Sequence, residues 1–300
     1  MRITFAACIV CGAVAIAAEP AAPRDAAYWL KLADTGMEVP EGENPGAMLV
    51  EASAFLASPD PKLRDGVAYG VAADWILKKK VVRPPELRSL LALWTPNLKK
   101  GVGTSGSDGV LLRSFSALDL SLVAARDVTA PYLEPAELKS LLDAALSYLA
   151  AERDLRGYDA AKGWVHATAH TADLLKFLAR NPRVTAADAG RILAGIGAKV
   201  LGAGEVFAWG EDERLASAVL AVLRRGDLDP AVWNGWLEEL AASSKGLWDA
   251  PTLDAKQFAA MQNAKHVLSR LHVLLYALPD APPKLVEARG QVLGALERMP

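Results

Sequence analysis

Apolar residues recur at i, i+3, i+4 and i+7 along almost the whole chain beyond residue 24, the spacing of one face of an α-helix. This period predicts helices at 24–34, 46–58, 60–79, 84–94, 108–126, 135–153, 164–180, 185–200, 211–225, 229–243, 255–278 and 284–298. Many of these segments carry their own start signals. In "SPDPKLRD", Ser58 or Asp60 stands at a cap position with Pro61 in the first turn. "RPPELRSLL" and "LEPAELKSLL" both place Pro then Glu just inside a helix, Thr185 precedes Asp188 by three residues, and Asp229 precedes Pro230. The links between segments are short and rich in Pro, Gly, Asn and Asp, and no strand-like alternation competes with the helical period.

Short links make successive amphipathic helices antiparallel neighbours, and a dozen of them exceed a four-helix bundle. The expected fold is therefore all-α, a HEAT/armadillo-like α-α superhelix, with an α/α toroid as the alternative. No regular sequence period emerges, so the repeats are irregular. No linker is long enough to divide residues 18–300, which are expected to form a single all-helical domain.

The first residues follow a different pattern. Met1 and Arg2 precede the apolar run "ITFAACIVCGAVAIA", which ends in Ala15-Ile16-Ala17. A positive start, an apolar stretch and an A-x-A site are the parts of a secretory signal peptide, here residues 1–17. The run is shorter than the roughly 20 residues of a membrane span. The expected compartment is periplasmic or extracellular, with no membrane span after cleavage. Cys8 and Cys11 both fall inside the signal, so the mature chain is expected to have no disulfide, thiolate metal site or cysteine nucleophile.

Composition narrows the partners. The chain is 52% hydrophobic and 23% charged, which suits a folded core, and its formal charge of −2 gives no basic footprint for nucleic acid. Lys78-Lys79-Lys80 sits at a predicted helix end, where cations complement the helix dipole. "GVGTSG" at 101–106 matches G-x-G-x-x-G, but a helix rather than a strand precedes it. It reads as an interhelix loop, after which Ser107 or Asp108 caps the next helix.

Candidate chemistry concentrates in "GWVHATAHTADLLKFLAR", residues 163–180. At about 100° per residue, His166, His170 and Asp173 share one narrow stripe of a helix that is otherwise apolar nearly all round. Three readings are open. Asp173 accepts a hydrogen bond from His170 within a structural network; the stripe lines a ligand pocket; or His166, His170 and Asp173 hold a divalent metal, with His266 as a further imidazole. H-x-x-x-H lacks the glutamate of H-E-x-x-H, so no metalloprotease base is present. Just upstream, "ERDLRGYDAAKG" delivers Asp154, Arg156, Tyr158 and Asp159 to the start of the same helix. Arg113 stands in an otherwise apolar helix, and the acids of "GEDERLASAV" are explained by the dipole of the helix they open.

Four blocks, "LRDGVAYGVAADWI" (63–76), "GVGTSGSDGVLLRSFSAL" (101–118), "DLRGYDAAKGWVHATAHTADLL" (154–175) and "GEDERLA" (210–216), together resemble the bacterial family of unknown function numbered 2785. The resemblance implies an all-helical, HEAT-like fold and a shared polar set, but no reaction. In this chain that set is Arg113, Asp154, Arg156, Tyr158, Trp164, His166, His170 and Asp173. A cytoplasmic setting is also implied for many members, and an export signal departs from it.

Two functions follow. The first is a scaffold binding a periplasmic protein or a small molecule at residues 154–173, favoured over an enzyme because no catalytic motif is complete. It needs no cofactor. The second is a metal-dependent hydrolase, with His166 and His170 as ligands, Asp173 or His266 completing the shell, and Asp154 or Asp159 as base.

Overall fold

The computed structural model describes residues 23–249 and 251–299; the signal read at 1–17 lies outside them. The described residues hold twelve α-helices. They are α1 (Ala26–Asp34), α2 (Pro45–Ala52), α3 (Gly70–Ala73), α4 (Pro84–Trp94), α5 (Gly109–Thr129), α6 (Pro135–Ala151), α7 (Ala167–Arg180), α8 (Ala186–Gly202), α9 (Glu211–Arg225), α10 (Pro230–Ala241), α11 (Ala255–Tyr276) and α12 (Pro283–Glu297). The fold is all-α. No helix among the described residues is long and apolar enough to cross a membrane.

Local sequence accounts for most helix starts. The carboxylates of Asp25 and Asp254 and the hydroxyl of Thr185 accept bonds from the first free N–H groups of α1, α11 and α8. Glu86 and Glu137 reach back to the Arg83 and Glu134 N–H groups, closing reciprocal caps behind the prolines of α4 and α6. Asp108 departs from expectation. It occupies the cap position of α5, but its side chain makes no cap bond and instead accepts from Lys162 Nζ at 2.6 Å.

From α5 onward the helices form two layers. Helices α5, α7, α9 and α11 pack side by side, and α6, α8, α10 and α12 form a second row against them. Buried apolar side chains from Trp29 to Met299 make one continuous core. Its apolar burial, at about 25 cal/mol per Å², is the main force holding the layers together. Helix α5 is buried nearly all round because α4, α7 and the turns at 53–57 and 95–99 surround it.

Two departures from a plain helical stack build the site. Residues Lys62–Tyr69 and Asp74–Lys78, on either side of α3, are π-helical, with the Gly70 N–H reaching Asp65 C=O. Such wide turns recur at functional sites. Residues 156–166 form a β-hairpin, where a helical run was expected to begin at 164. Tyr158–Asp159 (β1) pairs antiparallel with Gly163–Trp164 (β2). Backbone bonds from Val165 N to Gly157 O (2.9 Å) and from His166 N to Arg156 O (3.0 Å) continue the ladder. The hairpin is too short for a period-2 signal. Its turn is fixed by Asp159 Oδ1, which accepts from Ala161 N (2.9 Å) and Lys162 N (3.0 Å), and by Gly163, whose φ of +73° favours glycine.

Candidate ligand-binding site

The hairpin ends at His166, which adopts a left-handed conformation (φ 53°, ψ 32°) and caps α7. Holding a non-glycine residue there costs on the order of 1 kcal/mol or more, and such strain clusters at functional sites. His166 therefore precedes the helix rather than sharing a helical stripe with His170. Its ring stacks on Trp164 at 4.7 Å and meets the His170 ring edge-on at 5.6 Å. His166 Nε2 lies 2.9 Å from the Trp209 carbonyl oxygen, an arrangement in which the nitrogen donates. Glu211 Oε1 is 3.6 Å from the same nitrogen. Burial lowers the His166 pKa, with Glu211 opposing.

His170, on the first turn of α7, is only 7% exposed. Its Nδ1 is 2.8 Å from Ser114 Oγ, and Ser114 also bonds the Val165 carbonyl oxygen. That carbonyl can only accept, so the Ser114 proton goes to it. His170 Nδ1 must then donate to Ser114, and its Nε2 carries a lone pair. Burial, reinforced by His166, holds the His170 pKa well below the ordinary imidazole value, so the ring is neutral. Nε2 has no partner among the described residues.

These rings floor a cavity of about 420 Å³ lined by Asp65, Tyr69, Leu118, Trp164, Trp209, Gly210, Glu213 and Arg214 as well as the two histidines. Asp65 and Tyr69 come from the first π-helical turn. Arg64, fully buried, fastens that turn to the hairpin through Lys162 O (2.6 Å) and Trp164 O (3.1 Å). Its guanidinium lies 4.6 Å over the Phe115 ring, which meets His170 edge-on at 4.9 Å. Burial raises the Asp65 pKa against the pull of Arg64. The Tyr69 phenol, raised by burial and by Asp119, stays neutral and has no hydrogen-bond partner among the described residues. Asp119 is itself fully buried with Oδ1 unpartnered, and burial pushes its carboxyl well above the usual range.

Of the residues expected from sequence, Trp164, His166 and His170 meet in this cavity. Asp173 is buried but turns away from His170. Its carboxylate takes Lys176 Nζ at 2.6 Å and the Arg214 guanidinium, so the expected His170–Asp173 bond is absent. Tyr158 sits at the rim, its ring 5.1 Å from Trp164 and 5.8 Å from Trp209.

Arg113, Asp154 and Arg156 belong to a separate network. Arg113 holds Glu152 through Nε (2.6 Å) and Nη2 (3.1 Å), with Nη1 on Lys100 O (3.0 Å). Asp154 accepts from Gly106 N (2.9 Å) and from Arg156 Nη2 (2.7 Å), and Arg156 also reaches Ser107 O (2.8 Å). Burial notwithstanding, these bonds hold Asp154 below the ordinary carboxylate pKa. The "GVGTSG" loop is thus clamped by this chain's own carboxylate. Asp159 is committed to its turn.

His266 is on α11, which packs against α9 rather than α7. Asp173 is held by two cations, so the four residues of the alternative metal reading are not brought together. No group of three or more His, Cys, Asp or Glu among the described residues is arranged to hold a metal ion.

Sequence reasoning passed over Asp65, Tyr69, Trp209, Glu213 and Arg214. All but Trp209, which directly precedes the second, lay in the blocks 63–76 and 210–216. Glu211 was explained by the helix dipole, yet it is buried and accepts from Trp209 N at 2.9 Å, positioning that tryptophan. Gly157 explains the RGY sequence. A Cβ there would fall inside the Trp209 side chain, so only glycine lets the indole lie against the hairpin.

Fold and site define a class: an all-helical protein with a polar and aromatic cavity floored by two buried histidines. Over residues 98–273, more than half its length, the chain matches the family described as "Protein of unknown function (DUF2785)", and it belongs to that family. No curated protein and no solved structure matches it.

Proposed function

We propose that this protein is an exported, HEAT-like scaffold that binds a small organic molecule in the His166–His170 cavity. The observation that carries the reading is His170 Nε2, an acceptor with no partner among the described residues, on a ring that lines the cavity. The volume of about 420 Å³ lies within the range of roughly 300–1,000 Å³ usual for small-molecule pockets.

The lining selects the ligand's chemistry. Asp65 and Glu213 are carboxylates and His170 Nε2 is an acceptor, while the charge of Arg214, the one cation of the lining among the described residues, is already balanced by Asp173. Anions are therefore disfavoured. Trp164 and Trp209 are 41% and 50% exposed, offering flat faces for an apolar or cationic surface. The favoured ligand is a compact donor-bearing molecule, uncharged or cationic. Export rests on the apolar segment at 3–17, and the N-terminal residue of the secreted protein, read by mass spectrometry, checks it.

Thermal-shift and calorimetric titration with amines, quaternary ammonium compounds and methyl glycosides, beside sulfate and acetate, tests the binding. Donor-bearing or cationic compounds are expected to stabilise the protein, and His170→Leu together with Trp209→Ala to abolish the shift. Preference for the anions, or binding that survives both substitutions, contradicts the reading.

A further inference from the structure

A second cavity lies on another part of the molecule, between the C-terminal end of α6 and the C-terminal half of α8. Lys199 reaches into it from α8, and Arg153 stands at its edge. Its walls are otherwise small or apolar, chiefly Ala150, Ala198, Gly202 and Ala203. At about 150 Å³ and about 30 Å³ per water-sized group, it holds roughly five such groups.

Lys199 is 8% exposed, and its Nζ donates to the Glu152 carbonyl oxygen at 2.8 Å. That is the one acceptor it finds among the described residues. The nearby Glu152 carboxylate offers little compensation. Its oxygens are already held by Arg113 and by the Asp154 N–H at 3.0 Å. An ammonium group would leave two N–H bonds without acceptors, whereas a neutral amine donates once and keeps a lone pair. Burial, opposed by Glu152 and assisted by Arg153, accordingly lowers the Lys199 pKa to about 8. The Arg153 guanidinium is exposed and has neither ion pair nor hydrogen bond among the described residues.

We infer that this cavity is a carbonyl-binding site, in which the Lys199 amine condenses with a small oxo-acid whose carboxylate is held by Arg153. The lone pair of Nζ attacks the carbonyl carbon and forms the C–N bond. Nitrogen gives up its two hydrogens, the carbonyl oxygen leaves with them as water, and a C=N bond remains. The step needs no oxidant or reductant. The backbone carbonyl of Glu152 orients the amine before attack. Burial in the α6–α8 packing raises the fraction of free amine available for attack.

The test is reductive trapping on the full folded protein at pH 8, with pyruvate and cyanoborohydride, read by peptide mass mapping. At that pH about half of Lys199 is free amine, against roughly one in 250 for an ordinary lysine. Lys199 is expected to label at least roughly tenfold faster than the exposed lysines. Arg153→Gln, an exposed substitution, also removes a charge that lowers the Lys199 pKa, so it is expected to slow labelling by acetone slightly and labelling by pyruvate severalfold more. Labelling of Lys199 no faster than that of exposed lysines overturns the site. Equal slowing of the two in Arg153→Gln overturns the role of the carboxylate.

Discussion

Two polar clusters lie within about twenty residues of one another and are built on opposite principles. In the Arg113–Glu152–Asp154–Arg156 corner every charge has a counter-charge and nearly every donor an acceptor. The corner clamps the 101–107 loop against the end of α6. In the histidine cavity, by contrast, His170 Nε2 and the Tyr69 hydroxyl have no partners among the described residues, and His166 is held in a strained backbone conformation. A saturated network fixes structure. An unsaturated one, held in place by a saturated shell of Ser114, Arg64 and Glu211, leaves bonding capacity for a ligand.

Removing a charge from the saturated corner should therefore have the largest effect on stability. Glu152→Gln leaves Arg113 buried without its counter-charge, and chemical denaturation is expected to register a loss of about 3–5 kcal/mol. A loss under about 1 kcal/mol would mean that the corner is not the structural member of the pair.

Gly157→Ala comes next, because the new methyl must push Trp209 off the hairpin. A cost of about 1–3 kcal/mol is expected. Altered tryptophan fluorescence and weaker ligand binding should accompany it. An unchanged emission spectrum would separate Trp209 from the hairpin.

The smallest effect sharpens the contrast most. His170→Leu removes an open acceptor while Ser114 keeps the Val165 carbonyl, so stability at pH 8 should stay within about 1 kcal/mol of the parent. The pH dependence should change as well. Both histidines have folded pKa values below the ordinary one, so as pH falls below about 6.5 the unfolded chain binds protons that the native protein refuses. Stability should fall with pH across that window, by up to about 1.4 kcal/mol per unit for each histidine. His170→Leu should lose one histidine's share of the slope, and an unchanged slope would mean that His170 titrates normally when folded.

Most of the helices were legible because they repeat an apolar period over several turns, and many carry proline, acidic or hydroxyl starts. The cavity was half legible. His166 and His170 stand out as imidazoles among alanines and leucines, but their geometry depends on a hairpin of two residues per strand, too short for periodicity to register. Asp65 and Tyr69 lie on a π-helical turn, where a 3.6-residue wheel assigns faces wrongly. Arg214 and Glu213 resemble the solvated first turn of an amphipathic helix, and only the packing of α7 on α9 brings them to the histidines. Partner choice was the least legible. Asp173 turns to Lys176 and Arg214, although His170, one turn away, was the partner offered by the sequence.

The central claim is that His170 is neutral, protonated on Nδ1 and open at Nε2. Long-range ¹H–¹⁵N NMR correlation of the histidine rings, recorded on the ligand-free protein from pH 8 to pH 6, reads that state directly. The account predicts a protonated Nδ1 and a bare Nε2 throughout. A proton on Nε2, or an imidazolium already formed at pH 6.5, would contradict it.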